Sequence, residues 1–267
     1  MRWIGWVALI GCTGDMVEPE ETGMPMEETD NPDPGPSEDL SASLEVSVVD
    51  ANGAAVSGAD VRFCRGPECR FATADDNGEF GFTKVAVDWH SLEVIAPVGD
   101  TSRLATAFAP VIFETETIRE VDFVMPSLDA AVTLPGTAAP LAVGTGLTIE
   151  LAAGDLKPPT FVPDAKEVAG VRLTEDQWVP VDGEEGTVVA QWFLDPFDHH
   201  ALVDIPMTFA NDYGLKDGST LSVIVGDYIT STWLDAGTLT VEKGELVGTV
   251  NLPVTSTVVL LDTTPAK

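Results

Sequence analysis

The chain is short of positive charge. Only 13 Lys and Arg stand against 44 Asp and Glu, so the 267 residues carry a formal net charge of −31. Such a surface repels nucleic-acid phosphates and anionic lipid headgroups, which excludes both as partners. It suits divalent cations, basic proteins or basic surfaces, and it also keeps a protein soluble. Histidine and cysteine are scarce, with three residues of each. No Gly-x-Ser-x-Gly string seats a serine nucleophile, and no Gly-rich loop leads a helix that could cradle phosphate. Beyond the first dozen residues no apolar run reaches the roughly 20 residues that a bilayer span needs. Helical periodicity of useful length is missing over residues 43–126 as well, which points away from a helical fold there.

What is present begins with Met1-Arg2-Trp3-Ile4-Gly5-Trp6-Val7-Ala8-Leu9-Ile10-Gly11-Cys12. One positive charge, a short apolar run and a small residue precede a cysteine. Residues 3–10 are too few to span a bilayer. A buried strand fits badly here, because an acidic, proline-rich stretch follows at once. The string resembles a bacterial lipoprotein signal peptide with its lipobox. That resemblance implies cleavage of residues 1–11, lipid on the Cys12 thiol and on its new amino terminus, and folding outside the cytoplasm. Several acyl chains, at about 0.8 kcal/mol per buried CH₂, make such an anchor stable where one would not. Thr13 and Gly14 follow the cysteine, with no aspartate at once after it. By resemblance to enterobacterial lipoproteins, this implies the outer membrane, with the protein facing the periplasm or the cell surface.

Residues 12–42 are expected to form the lipidated cysteine and a disordered tether. From Asp15 to Asp39 the segment carries ten acidic residues and no Lys or Arg, and Pro19, Pro25, Pro32, Pro34 and Pro36 break any helix. It cannot bury enough apolar surface to order itself, and its like charges extend it. Its expected role is reach.

From Leu44 the pattern changes to short alternating runs between Gly, Asp, Asn and Pro. Leu44–Val48, Val61–Phe63, Glu79–Phe82, Leu92–Val94 and Val121–Met125 alternate with period two. Short strands with frequent turn signals predict a β-sandwich over residues 43–126. The opening strand, Asn52-Gly53, then Val56-Ser57-Gly58-Ala59-Asp60-Val61 and Thr73-Ala74-Asp75-Asp76-Asn77-Gly78-Glu79-Phe80 resemble the carboxypeptidase regulatory-like domain, a transthyretin-type sandwich. The resemblance implies a non-catalytic accessory module. Phe80 and Phe82 should face one core. The Asp75–Glu79 run lacks the further ligands of a twelve-residue calcium loop and reads as a hairpin turn. Cys64 and Cys69 enclose Arg65-Gly66-Pro67-Glu68, a tight-turn composition. In an oxidising compartment they should form a disulfide, worth roughly 2 kcal/mol in the chain model. A zinc site is the competing reading, made poor by the lack of a nearby histidine, and the spacing is not that of a redox pair.

Residues 127–267 predict a second sandwich, so the expected class is all-β, with two tandem sandwiches after the tether. Strands are expected at Leu147–Leu151, Val188–Phe193, Ile205–Ala210, Leu221–Tyr228, Trp233–Gly237 and Thr257–Leu261, with turns at Gly154–Thr160 and Gly214–Ser219. Pro206-Met207-Thr208-Phe209, Gly214-Leu215-Lys216-Asp217-Gly218 and Trp233 resemble the β-sandwich domain of ankyrins, UNC-type netrin receptors and zonula occludens proteins. The opening strands lack that family's signature, and its closing His-Phe-Ser is replaced by Val254-Thr255-Ser256. The resemblance implies an interaction or structural module without catalysis.

The one chemical constellation is Asp195-Pro196-Phe197-Asp198-His199-His200, with Asp204 behind it. Asp198, His199 and His200 are the candidate ligands for zinc or another transition metal. Adjacent histidines on a strand point to opposite faces and seldom share one metal, so a polar loop ahead of Ile205 is the reading adopted. No cofactor is expected. Among the tryptophans, Trp192 reads as core, whereas Trp178 lies in a polar stretch and is the candidate ligand platform. The resulting expectation is a non-enzymatic, envelope-anchored lipoprotein that acts as a binding, adhesion or structural module, with an envelope or extracellular protein or glycan as partner. A carbohydrate-binding surface protein is the first alternative, and a metal-dependent hydrolase centred on Asp198, His199 and His200 is the second.

Overall fold

The computed structural model describes residues 40–265. Cys12, the expected signal segment and the acidic stretch up to residue 39 lie outside the described residues. Apart from one 3₁₀ turn at Glu175–Gln177, regular structure among the described residues is all β.

The first stretch holds seven strands: β1 (Ala42–Asp50), β2 (Asp60–Arg65), β3 (Glu68–Thr73), β4 (Glu79–Val85), β5 (Trp89–Ile95), β6 (Ala107–Ile112) and β7 (Ile118–Met125). They form two sheets, ordered β4-β1-β7 and β3-β2-β5-β6. β1 pairs antiparallel with β4 and parallel with β7. Its alternation works as expected: Ala42, Leu44, Val46 and Val48 are buried, while Glu45 faces water. Phe63 stacks on Phe82 at 5.2 Å and on His90 at 4.5 Å between ring centroids. Phe80 and Phe82 both join this core. The Asp75–Glu79 run is a hairpin turn in which Asp75 Oδ1 accepts the Asn77 and Glu79 amides at 2.8 and 2.9 Å. Gly78 has φ +79°, and any Cβ there would sit 2.3 Å from the Val48 carbonyl oxygen, so only glycine fits. β2 and β3 are joined by a two-residue turn that sets Cys64 directly opposite Cys69, and the two form the expected disulfide.

The second stretch begins with β8 (Val132–Thr133), β9 (Ala139–Ala142), β10 (Leu147–Leu151), β11 (Leu156–Lys157), β12 (Glu167–Arg172), β13 (Thr187–Asp195) and β14 (His199–Ala201). It continues with β15 (Met207–Phe209), β16 (Thr220–Asp227), β17 (Thr232–Glu242), β18 (Glu245–Val250), β19 (Val254–Thr255) and β20 (Thr257–Asp262). A seven-stranded sheet, β18-β17-β16-β20-β13-β12-β8, is accompanied by two three-stranded sheets, β15-β10-β9 and β11-β14-β19. Two local expectations are corrected. The turn at Gly154–Thr160 contains β11, and the polar loop at the histidines gives way to β14. Strands this short have no periodicity to read; their partners create them.

Residues 40–265 lie within one compact unit. The seven-stranded sheet explains why. Ala190, Trp192, Leu194, Val223, Val225, Val258 and Leu260 face the second core. Phe193, Ile224, Trp233, Val259 and Leu261, on the same strands or their neighbour β17, join the first stretch's core instead. The middle of the sheet, where β13, β16 and β20 lie, is therefore dry on both faces. Gly226 on β16 lets the Phe108 ring of β6 approach; a Cβ there would lie 2.7 Å from it. The Thr257 hydroxyl donates to the Phe108 carbonyl at 2.6 Å across the same contact.

Candidate functional site

The chemical constellation of the sequence lies in the connection from β13 to β14. The Asp195–Pro196 peptide is cis, and Asp198 has φ +57°, a left-handed conformation that aspartate tolerates better than most residues. Three bonds tie this connection to β19. The Asp198 amide donates to the Thr255 carbonyl at 2.7 Å, the His199 amide donates to Thr255 Oγ1 at 3.1 Å, and the Thr255 hydroxyl donates to the Pro196 carbonyl.

β14 then runs antiparallel between β11 and β19, so its side chains alternate. His199 turns inward and is 1% exposed. Its Nδ1 lies 3.0 Å from the Phe197 carbonyl and must donate to it, because a carbonyl only accepts. His200 points the other way, with a third of its side chain exposed. The two imidazoles diverge, as their adjacency on a strand requires, and His199 takes no part in the cluster around His200.

That cluster is completed by a residue the sequence did not single out. Asp227 closes β16, and its side chain is 4% exposed. Asp227 Oδ2 accepts from the Thr230 amide at 3.0 Å and from the Thr230 hydroxyl at 2.6 Å. Those bonds aim Oδ1 at His200 Nε2, 3.7 Å away, while Asp198 Oδ1 stands 3.2 Å from the same nitrogen. The three potential ligand atoms lie within 4.8 Å of one another. Asp198 Oδ1, His200 Nε2 and Asp227 Oδ1 are all buried atoms without a hydrogen-bond partner. A buried polar atom left unsatisfied costs about 1–3 kcal/mol, so three in one place call for an explanation. Burial pushes the Asp198 carboxyl up; His200 pulls it down and the neighbouring Asp227 adds to the rise. Asp204 is exposed and stays outside the cluster.

Groups of the first stretch stand close by. Glu93 on β5 is 2% exposed, and its Oε2 lies 3.4 Å from Arg62 Nη1. Burial pushes its carboxyl up to about 7, with Arg62 opposing and Asp198 reinforcing the shift. The Tyr228 hydroxyl donates to Cys64 Sγ at 3.0 Å, and its ring forms a group with Phe108 and Phe197, with centroids 5.2 to 6.2 Å apart. The cluster thus borders the contact between the two stretches.

The tryptophans divide differently. Trp192 is fully buried and donates from Nε1 to the Thr145 carbonyl at 3.0 Å. Trp178 follows the 3₁₀ turn, is half-buried and packs against the first core; its ring lines a shallow groove with Arg172 and Glu175. A separate open groove lies on the wet face of the β4-β1-β7 sheet, walled by Glu45, Asp75, Glu79, Glu120 and Asp122.

No family model and no curated protein matches the chain. Among solved structures, the Bacillus anthracis TIE protein aligns with 79% of the chain at 10% identity and a TM-score of 0.28. The chain spans 43% of that protein. A candidate carbohydrate binding protein from Bacteroides uniformis aligns with 83% of the chain and 99% of its own length, at 13% identity and a TM-score of 0.26. Both likenesses are too slight to bear on function.

Proposed function

We propose that the chain is a non-catalytic lipoprotein of the bacterial envelope that displays its β-sandwiches to a basic partner outside the cytoplasm. Cys12 carries the lipid and the acidic residues 13–39 supply reach; Ala42, expected in the tether, belongs to β1. The reading of Cys12 rests on the lipobox resemblance; the binding reading rests on one structural observation. The wet face of β4-β1-β7 projects Glu45, Glu79, Glu120 and Asp122 into a single groove, with the first core sealed behind it. Opposite charge on a partner gives such a face fast, salt-sensitive association.

Two measurements test this reading. Detergent partitioning should place the wild-type chain with the membrane and Cys12→Ser in the aqueous phase; equal partitioning overturns the anchor. The full-length Cys12→Ser chain should capture a basic envelope protein or peptide at low salt and release it at high salt. Glu45→Lys with Glu120→Lys should abolish capture. Retention of the same partner by that variant overturns the assignment of the binding face.

A further inference from the structure

We propose that Asp198, His200 and Asp227 bind one divalent transition-metal ion of the zinc class through Asp198 Oδ1, His200 Nε2 and Asp227 Oδ1. The proposal is independent of the acidic groove, which lies on another sheet.

Three features of the cluster support it. First, all three atoms are buried, none makes a well-formed hydrogen bond, and Asp198 Oδ1 and His200 Nε2 meet each other as an ion pair; they converge from two separate elements, the β13–β14 connection with β14 and the end of β16. Asp227 carries most weight here, because a carboxylate so deeply buried normally accepts hydrogen bonds with both oxygens, yet its Oδ1 accepts none and the His200 nitrogen stands 3.7 Å away, beyond hydrogen-bond reach. Second, the two spacings to His200 fit, and the two carboxylate oxygens lie within 4.8 Å of each other. A tetrahedral ion with bonds of about 2.0–2.2 Å holds its ligand atoms roughly 3.3–3.6 Å apart. His200 Nε2 lies 3.2 and 3.7 Å from the two carboxylate oxygens. Third, the support is already built. Thr230 fixes the second oxygen of Asp227, the kind of outer contact that orients a ligand.

Chemistry selects the metal class. The imidazole nitrogen favours zinc and its neighbours over calcium or magnesium, which prefer all-oxygen surroundings. Three protein ligands leave a fourth position for a water or an incoming ligand. A cation also relieves the repulsion of two carboxylates that share one neighbour.

The competing account is a protonated His200 bridging the two carboxylates with no metal. The full-length chain, stripped with chelator, should be titrated with zinc by calorimetry at about 0.15 M salt, where diffuse acidity is screened. One zinc per chain is expected, with His200→Gln and Asp227→Asn each weakening it by about tenfold or more. Glu120→Gln, on the acidic groove, should leave that affinity unchanged. Cobalt in place of zinc should give the intense visible bands of a tetrahedral ion, lost in His200→Gln. Failure to bind zinc stoichiometrically, or equal binding by His200→Gln, overturns the site. Zinc spread over several weak positions and diminished by Glu120→Gln also overturns it, in favour of general acidity. If Asp227→Asn loses its circular-dichroism signal, His200→Gln decides alone, since its side chain already reaches solvent.

Discussion

β1 and β20 are both central strands, yet they are built on different rules. β1 alternates, with Leu44, Val46 and Val48 in the core and Glu45 in water. β20 runs Thr257-Val258-Val259-Leu260-Leu261 and is buried at every one of these positions. The difference marks where each sheet sits. The β4-β1-β7 sheet has one wet face, whereas the seven-stranded sheet has a core on each side. A chain that needs only one core per sheet can spend every second position on charge. A sheet shared between two cores cannot, and its strands become continuous apolar runs. β13 and β16 follow β20 in this respect. The lesson is that the two sandwiches expected in tandem are joined through a common wall.

The sharpest way to break this account is Phe193→Ala. Phe193 belongs to β13 but lies in the first stretch's core. Removing a buried phenylalanine side chain costs about 3–5 kcal/mol. Calorimetry should show one unfolding transition shifted down as a whole. A transition of residues 127–267 that moves alone would show that the wall is not shared.

Glu93 sharpens the comparison from the other side, being a carboxyl buried on β5, where an alternating strand with a wet face would have left it in water. Its folded value near 7 exceeds the ordinary 4.5. The folded state therefore holds a proton that the unfolded chain gives up. The stability this brings is fully present below about pH 4.5 and is lost as pH rises through 7; it is on the order of 3 kcal/mol at most. In chelator-containing buffer, the Tm should fall between about pH 5 and 8, and Glu93→Gln should flatten the fall. An unchanged slope would place the effect elsewhere.

β3 supplies the opposite extreme, an edge strand with no fully buried residue. The backbone ladder and the Cys64–Cys69 link, rather than burial, hold it to β2. Replacing both cysteines with serine should cost about 2 kcal/mol in denaturant titrations. Amide exchange should quicken in β3 and stay slow in β20; uniform quickening would mean that the hairpin supports the wall itself.

The smallest effect is expected at Arg119, whose guanidinium lies 2.8 Å from the Asp182 carboxylate across the two stretches, with both side chains partly exposed. Arg119→Ala should change stability by about 1 kcal/mol or less. A loss several times larger would show that polar contacts, not the apolar wall, hold the stretches together.

Much of this architecture was legible in the residue order. Leu147–Leu151 alternates and is β10 residue for residue, and the β1 alternation carries directly into burial. Cys64 and Cys69 pair because a two-residue turn sets them opposite each other. β6, Ala107–Ile112, was missed because Pro110 interrupts it and it does not alternate; it is a strand because β5 pairs with it. The site was half legible. Asp198 and His200 stood out as a local cluster, but Asp227 lies in a different strand with no motif around it. The available signal was a carboxylate ending the apolar run Leu221–Val225, a costly place for charge unless something nearby answers it.

By itself the sequence determined the all-β class, most central strands, the disulfide pair and the divergence of His199 from His200. Each depends on backbone dihedrals and the two-residue period, which act over a few positions. Only the tertiary structure decided which face of β13, β16 and β20 met which core, and that Asp227 would meet His200. Those outcomes depend on pairings between strands far apart in the chain. No local preference specifies such pairings; they follow from the combined burial of two cores against one sheet.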